Sequence, residues 1–94
     1  MMSKIPVRLE NVSKEKIDVE ILRAGMIAEL DAINMYEQMA ALANDANIKK
    51  MLLDIAKEEK THLGEFQALL LNRDKEQAGE LEKGRDEVKE EVGE

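Results

Sequence analysis

Ninety-four residues with a formal net charge of −7 and no cysteine define a small acidic chain with room for one domain. The charge argues against a nucleic-acid partner, because phosphate binding rests on clustered Lys and Arg. The missing cysteines exclude disulfides, thiolate zinc sites and iron–sulfur clusters.

Tyr36 and Phe66 are the only aromatic residues, and Ala, Leu, Glu, Lys, Met and Ile dominate, so the core must be aliphatic and Met-rich. Nothing alternates polar and apolar between turn formers, and the fold class is all-α. No stretch reaches the ~18 apolar residues of a membrane span, and no signal-peptide core opens the chain. A cytoplasmic protein with no membrane partner is the expectation.

Residues 1–13 read as an arm, with Pro6 and the Ile5/Val7/Leu9 alternation suggesting an extended segment laid on a neighbour. Ser13 is placed to cap a first helix over 14–44, about 45 Å long at ~1.5 Å per residue. Gly25 is its one weak point, costing ~1 kcal/mol relative to Ala. Asn44-Asp45-Ala46-Asn47 is a cluster of turn formers and predicts a short connection. A second helix follows over 48–71. Asn72-Arg73-Asp74 breaks it, with Asp74 capping a third segment and Gln77 in the capping-box position. Over 74–92 the sparse apolar points Leu81, Val88 and Val92 sit amid charge and glycine, which predicts a short or marginal helix. Residues 1–94 thus read as a single helical-hairpin domain.

Each main helix carries a heptad seam. On the first it runs Leu22, Met26, Glu29, Ile33, Tyr36, Ala40 and Ala43; on the second, Ile48, Leu52, Ile55, Glu59, His62, Phe66 and Leu69. Glu29, Glu59 and His62 are polar residues of ligand type on these apolar stripes, where an unpaired carboxylate loses its hydration. Glu59 and His62 form Glu-x-x-His, whose side chains project from one helix face. From a turn centred near residue 45.5, Glu29 lies 16.5 residues before and Glu59 and His62 lie 13.5 and 16.5 after. In an antiparallel hairpin all three reach about the same height.

One buried Glu and one Glu-x-x-His per hairpin is half the ligand set of a four-helix di-iron carboxylate protein. Doubling the hairpin about a two-fold axis completes four carboxylates and two imidazoles, a set suited to iron or manganese. Blander readings stand beside this one. A seam Glu is often a misphased surface residue, and His62 would serve as a satisfied core histidine. Tyr36 reads equally as a core aromatic, and Met26, Met35, Met39 and Met51 as filler. Asp31, Glu37, Glu58 and Glu65 read as a solvated acidic face, with a path for incoming cations as the sharper alternative.

The runs Ala28-Glu29-Leu30-Asp31-Ala32-Ile33-Asn34-Met35-Tyr36-Glu37-Gln38-Met39 and Glu58-Glu59-Lys60-Thr61-His62 strongly resemble the encapsulated ferritins, over most of residues 14–92. The resemblance implies a hairpin that dimerises into a ferritin-like four-helix bundle, with the dimers closing into a ring, commonly a decamer. It implies a ferroxidase di-iron centre at the two-fold interface, two Fe per dimer, with Glu29, Glu59 and His62 as iron ligands and Tyr36 beside them. Such open rings cannot store mineral, so iron storage falls to an encapsulin shell, a nanocompartment that holds the oxidised iron. Calcium or another divalent cation at secondary sites fits the same family picture. Two departures matter. Some members carry an acid at the position of Ala28 that helps form a secondary metal site on the cation route, and here only Asp31 matches. The stretch from Asp86 to Glu94 lacks the small, apolar character of a shell-targeting peptide, so the sequence suits either a domain of a shell fusion or a free-standing relative.

The expected activity is oxidation of Fe(II) to Fe(III) by dioxygen or peroxide, with Glu29 and His62 as terminal ligands and Glu59 as the bridge. Two rivals remain. One is a rubrerythrin-like di-iron peroxide reductase, which would need an external electron donor because the chain has no cysteine for a rubredoxin-type centre. The other is a non-enzymatic helical assembly that metal merely stabilises.

Overall fold

The computed structural model describes residues 8, 10, 13, 14 and 16–94. The expected arm residues Ile5, Pro6, Val7 and Leu9 lie outside these. The described residues form three helices, α1 (Ile17–Leu42), α2 (Ala46–Arg73) and α3 (Lys75–Val92). The fold is all-α, with α1 and α2 packed as an antiparallel hairpin.

Local chemistry sets the helix ends. Ser13 does not cap α1: its carbonyl accepts from the Lys16 N–H at 3.0 Å in a preceding turn. The N-cap position falls on Lys16, which makes no side-chain cap bond, so the helix starts at Ile17 and not at 14. Asp18 and Glu20 then place negative charge at the positive end of the helix dipole. Ala43 turns to extended backbone after donating to the Met39 and Ala40 carbonyls. The Asp45 side chain next accepts from the N–H groups of Asn47 and Ile48, at 2.8 and 3.0 Å. Two otherwise orphaned donors are satisfied, and α2 begins two residues earlier than the expected 48.

Asp74 does two jobs at the α2–α3 junction. Its Oδ1 accepts from the Gln77 N–H at 2.9 Å, and its Oδ2 accepts from Arg23 Nη2 of α1 at 3.0 Å. The sequence made α3 short or marginal; it is an 18-residue helix, closed by Gly93 in the left-handed conformation at φ 76. None of its residues is buried.

Leu22, Ile33 and Ala40 of α1 and Ala56 and Leu70 of α2 form the buried core. Ala40 and Ala56 are each only 2% exposed. The α1 seam matches the expected one, with its remaining members half-buried. On α2 the buried row is Ala56 and Leu70, one position round from the expected seam, while Ile48 and Leu69 are exposed. The reason is a stripe wider than one contact: one edge faces α1, and the other, Ile48, Ile55, His62 and Leu69, recurs every seven residues beside it. That second edge and the exposed Ile21 and Met39 of α1 leave one side of the hairpin open and apolar. The chain exposes 7427 Å² in all, against roughly 5,500 Å² for a compact monomer of its mass. The hairpin alone is an unfinished core.

Candidate metal centre

Glu29 projects from the middle of α1, and Glu59 and His62 from the middle of α2. Each offers one ligand atom, and the three atoms lie within 4.8 Å of one another. His62 Nδ1 stands 3.6 Å from Glu59 Oε2 and 3.8 Å from Glu29 Oε2. Both separations are too long for a hydrogen bond. Both are shorter than the ~4.2 Å that two ligands reach when each bonds one cation at ~2.1 Å. The gap therefore has the size of an ion.

Burial sharpens the point. The Glu29 side chain is 16% exposed and that of Glu59 20%. Glu29 Oε2 is buried with no hydrogen-bond partner. Buried polar atoms of native proteins are nearly always satisfied, so an orphaned carboxylate oxygen aimed at two other ligand groups marks a place for a cation. Carboxylate oxygens with imidazole nitrogen suit hard to borderline metals such as iron or manganese. The residues present fit such an ion. The His62 side chain is 46% exposed, so the centre opens onto the unfinished apolar side of the hairpin. All three ligand atoms come from one hairpin.

The other residues singled out in the sequence fall elsewhere. Tyr36 is half-buried on the same stripe as Glu29, two turns away, about 10 Å along the axis. Asp31 is not on a solvated face: it is 7% exposed. Two residues of helix turn it ~200° from Glu29, so it stands off the triad. Glu58 and Glu65 are exposed. Glu37 is exposed too, but its Oε2 pairs with Lys60 Nζ at 3.2 Å, joining α1 to α2 beside the Glu59 layer. Sequence reasoning passed over that pair and also the reason for Gly25. A Cβ at Gly25 would meet the Phe66 ring at 2.8 Å. The matched heights of residues 25 and 66 in the hairpin were the available signal.

Comparison with known proteins adds a relationship to this geometry. The sequence model of the EncFtn-like family matches residues 4–84. A ferritin-like–encapsulin shell fusion protein of Pyrococcus furiosus is 60% identical over 81 residues, covering 86% of this chain and 23% of that protein. The chain thus spans under a quarter of the length of this relative. The crystal structure of the encapsulated ferritin domain from Pyrococcus furiosus matches with a TM-score of 0.85 and 51% identity, covering 100% of this chain and 98% of that one.

Proposed function

The chain belongs to the encapsulated ferritin (EncFtn-like) family, and on that premise we propose that it is a ferroxidase whose centre is completed by a second copy of the chain. The observation that carries this reading is the convergence of Glu29, Glu59 and His62 around an orphaned carboxylate oxygen, on a face that is apolar and open. Two hairpins meeting on that face form a four-helix bundle with four carboxylates and two imidazoles around two Fe(II) ions.

Fe(II) is the substrate. Two Fe(II) ions each give up one electron, and dioxygen takes both with two protons to become hydrogen peroxide. Glu29 and His62 would hold an ion from opposite helices, and Glu59 would supply the carboxylate shared by the two ions. Four negative charges offset the charge gained on oxidation, which favours Fe(III) over Fe(II) at the site. The apolar rim of Ile48, Ile55 and Leu69 limits water at the interface and strengthens those interactions. Tyr36 lies two turns along the same stripe, and Asp31, buried and turned ~200° from Glu29, stands away from this centre. Dimers close into a ring, a decamer by family analogy. Action inside an encapsulin nanocompartment, which takes up the ferric product, follows from the same analogy with the fusion relative.

Anaerobic Fe(II) loading followed by stopped-flow exposure to oxygen tests this. About one iron per chain and ferric absorbance rising faster than in buffer are expected of the wild type. Glu59→Ala and His62→Ala should keep their helices and lose fast oxidation. Wild-type rates in both variants would defeat the proposal.

A further inference from the structure

Of the glycines within helices, only one is forced by its neighbours. A Cβ built on Gly64, Gly79 or Gly84 meets nothing within 4 Å, whereas at Gly25 it would stand 2.8 Å from Phe66 Cε1 and 2.9 Å from Cδ1 and Cζ. Gly25 has an ordinary helical backbone, since positive φ occurs only at Gly93 among the described residues. Space, not backbone freedom, explains it. The Phe66 ring lies against the α1 backbone where any other residue would put a side chain.

The place of this contact is what matters. Gly25 sits one turn before Glu29 on α1, and Phe66 one turn after His62 on α2. In the antiparallel pair the ring and the glycine form the layer next to the triad. We propose that Gly25 and Phe66 are positioning residues: their contact sets the separation of α1 and α2 at the layer where Glu29 and His62 face one cation. The proposal rests on the metal-centre reading above. A first-row cation accepts ligand distances within only ~0.2 Å of ideal. Moving the ring from 2.8 Å to an ordinary contact of ~3.5 Å takes ~0.7 Å of displacement. Either the helices spread or the ring leaves the seam, and the next layer carries the ligands.

Alanine at a helix interior is normally more favourable than glycine, so a change for the worse at this position isolates the contact from propensity. The test compares the wild type with Gly25→Ala, Phe66→Leu and the double variant, using Co(II) as probe. Helicity by circular dichroism, the Co(II) dissociation constant and the Co(II) visible spectrum are read for each. Gly25→Ala should remain helical, bind Co(II) roughly tenfold or more weakly and show an altered spectrum. Adding Phe66→Leu, which removes Cε1 and Cζ and leaves in place of the ring edge a Cδ1 that can rotate away, should restore affinity and spectrum. A folded Gly25→Ala protein with wild-type affinity and spectrum overturns the proposal. A wild type that binds no Co(II), or binds it as well after His62→Ala, instead overturns the metal-centre reading. In that event metal-free crystal structures of the wild type and Gly25→Ala decide: a wider α1–α2 separation at the Glu29–His62 layer supports the spacer, and an unchanged one refutes it.

Discussion

Replacing Glu29 by Gln should make the metal-free protein more stable and the metal-loaded protein less so. The side chain is 16% exposed, its Oε2 has no hydrogen-bond partner, and His62 Nδ1 approaches no closer than 3.8 Å. A buried polar group left unpaired costs ~1–3 kcal/mol. An isosteric amide is also polar and unpaired there but carries no charge to desolvate, so the expected gain is about 1 kcal/mol. For a chain of this size that raises the melting temperature by ~4–8 °C. With metal the sign reverses. A ligand at ~100 times its dissociation constant stabilises the native state by ~2.7 kcal/mol, and the Gln variant forfeits most of this by losing an anionic ligand. Calorimetry at one fixed protein concentration, with chelator and with Co(II), reads both arms. A Gln variant that melts below the wild type in chelator would show that Glu29 is satisfied without metal and would remove the main support for the centre.

Other outcomes follow from the packing and the caps. Asp45→Ala leaves the Asn47 and Ile48 N–H groups unpaired and should cost ~1 kcal/mol in a denaturant titration. Asp74→Ala loses both the α3 cap and the Arg23 partner, so it should cost ~1–2 kcal/mol. Arg23→Gln, which keeps the cap, should cost clearly less. Ala40→Leu forces a large side chain into a position 2% exposed, and ~1–3 kcal/mol of destabilisation by the same titration is expected. Gly93→Ala strains a residue at φ 76 yet frays only the last turn of α3. Amide exchange there should quicken while the melting temperature holds.

Much of the architecture was legible in the sequence because burial repeats with the helix. Leu22, Ile33 and Ala40 announced the α1 seam, and the heights of Glu29, Glu59 and His62 about the Asn44–Asn47 connection brought the ligands together. What escaped depended on atoms rather than period. Ser13 and Asp45 are both good caps by residue type, but only Asp45 is followed directly by the helix it serves. Asp31 resembled its acidic neighbours, and nothing in the local pattern revealed its burial. The α2 stripe is broad enough to serve two contacts, so a single seam drawn through it took in Ile48 and Leu69 and left out the buried Ala56 and Leu70. Gly25 looked like a lapse in helix propensity because the ring that requires it lies 41 residues further along the chain.

Asp74 gives the molecule a mechanical property. α3 meets the hairpin near its start, through the Arg23 ion pair and through Gln77 and Leu81, which line a pocket with Met26, Ile27 and Leu30 of α1. Its 18 residues make a rod ~27 Å long, aimed by a carboxylate that holds Gln77 with one oxygen and Arg23 with the other. A tilt of ~10° at that pivot carries the far end ~5 Å, about one helical turn. Leu81, Val88 and Val92 ride on this rod at increasing radius, so a small rearrangement at one side chain is magnified into a change of reach at the tip.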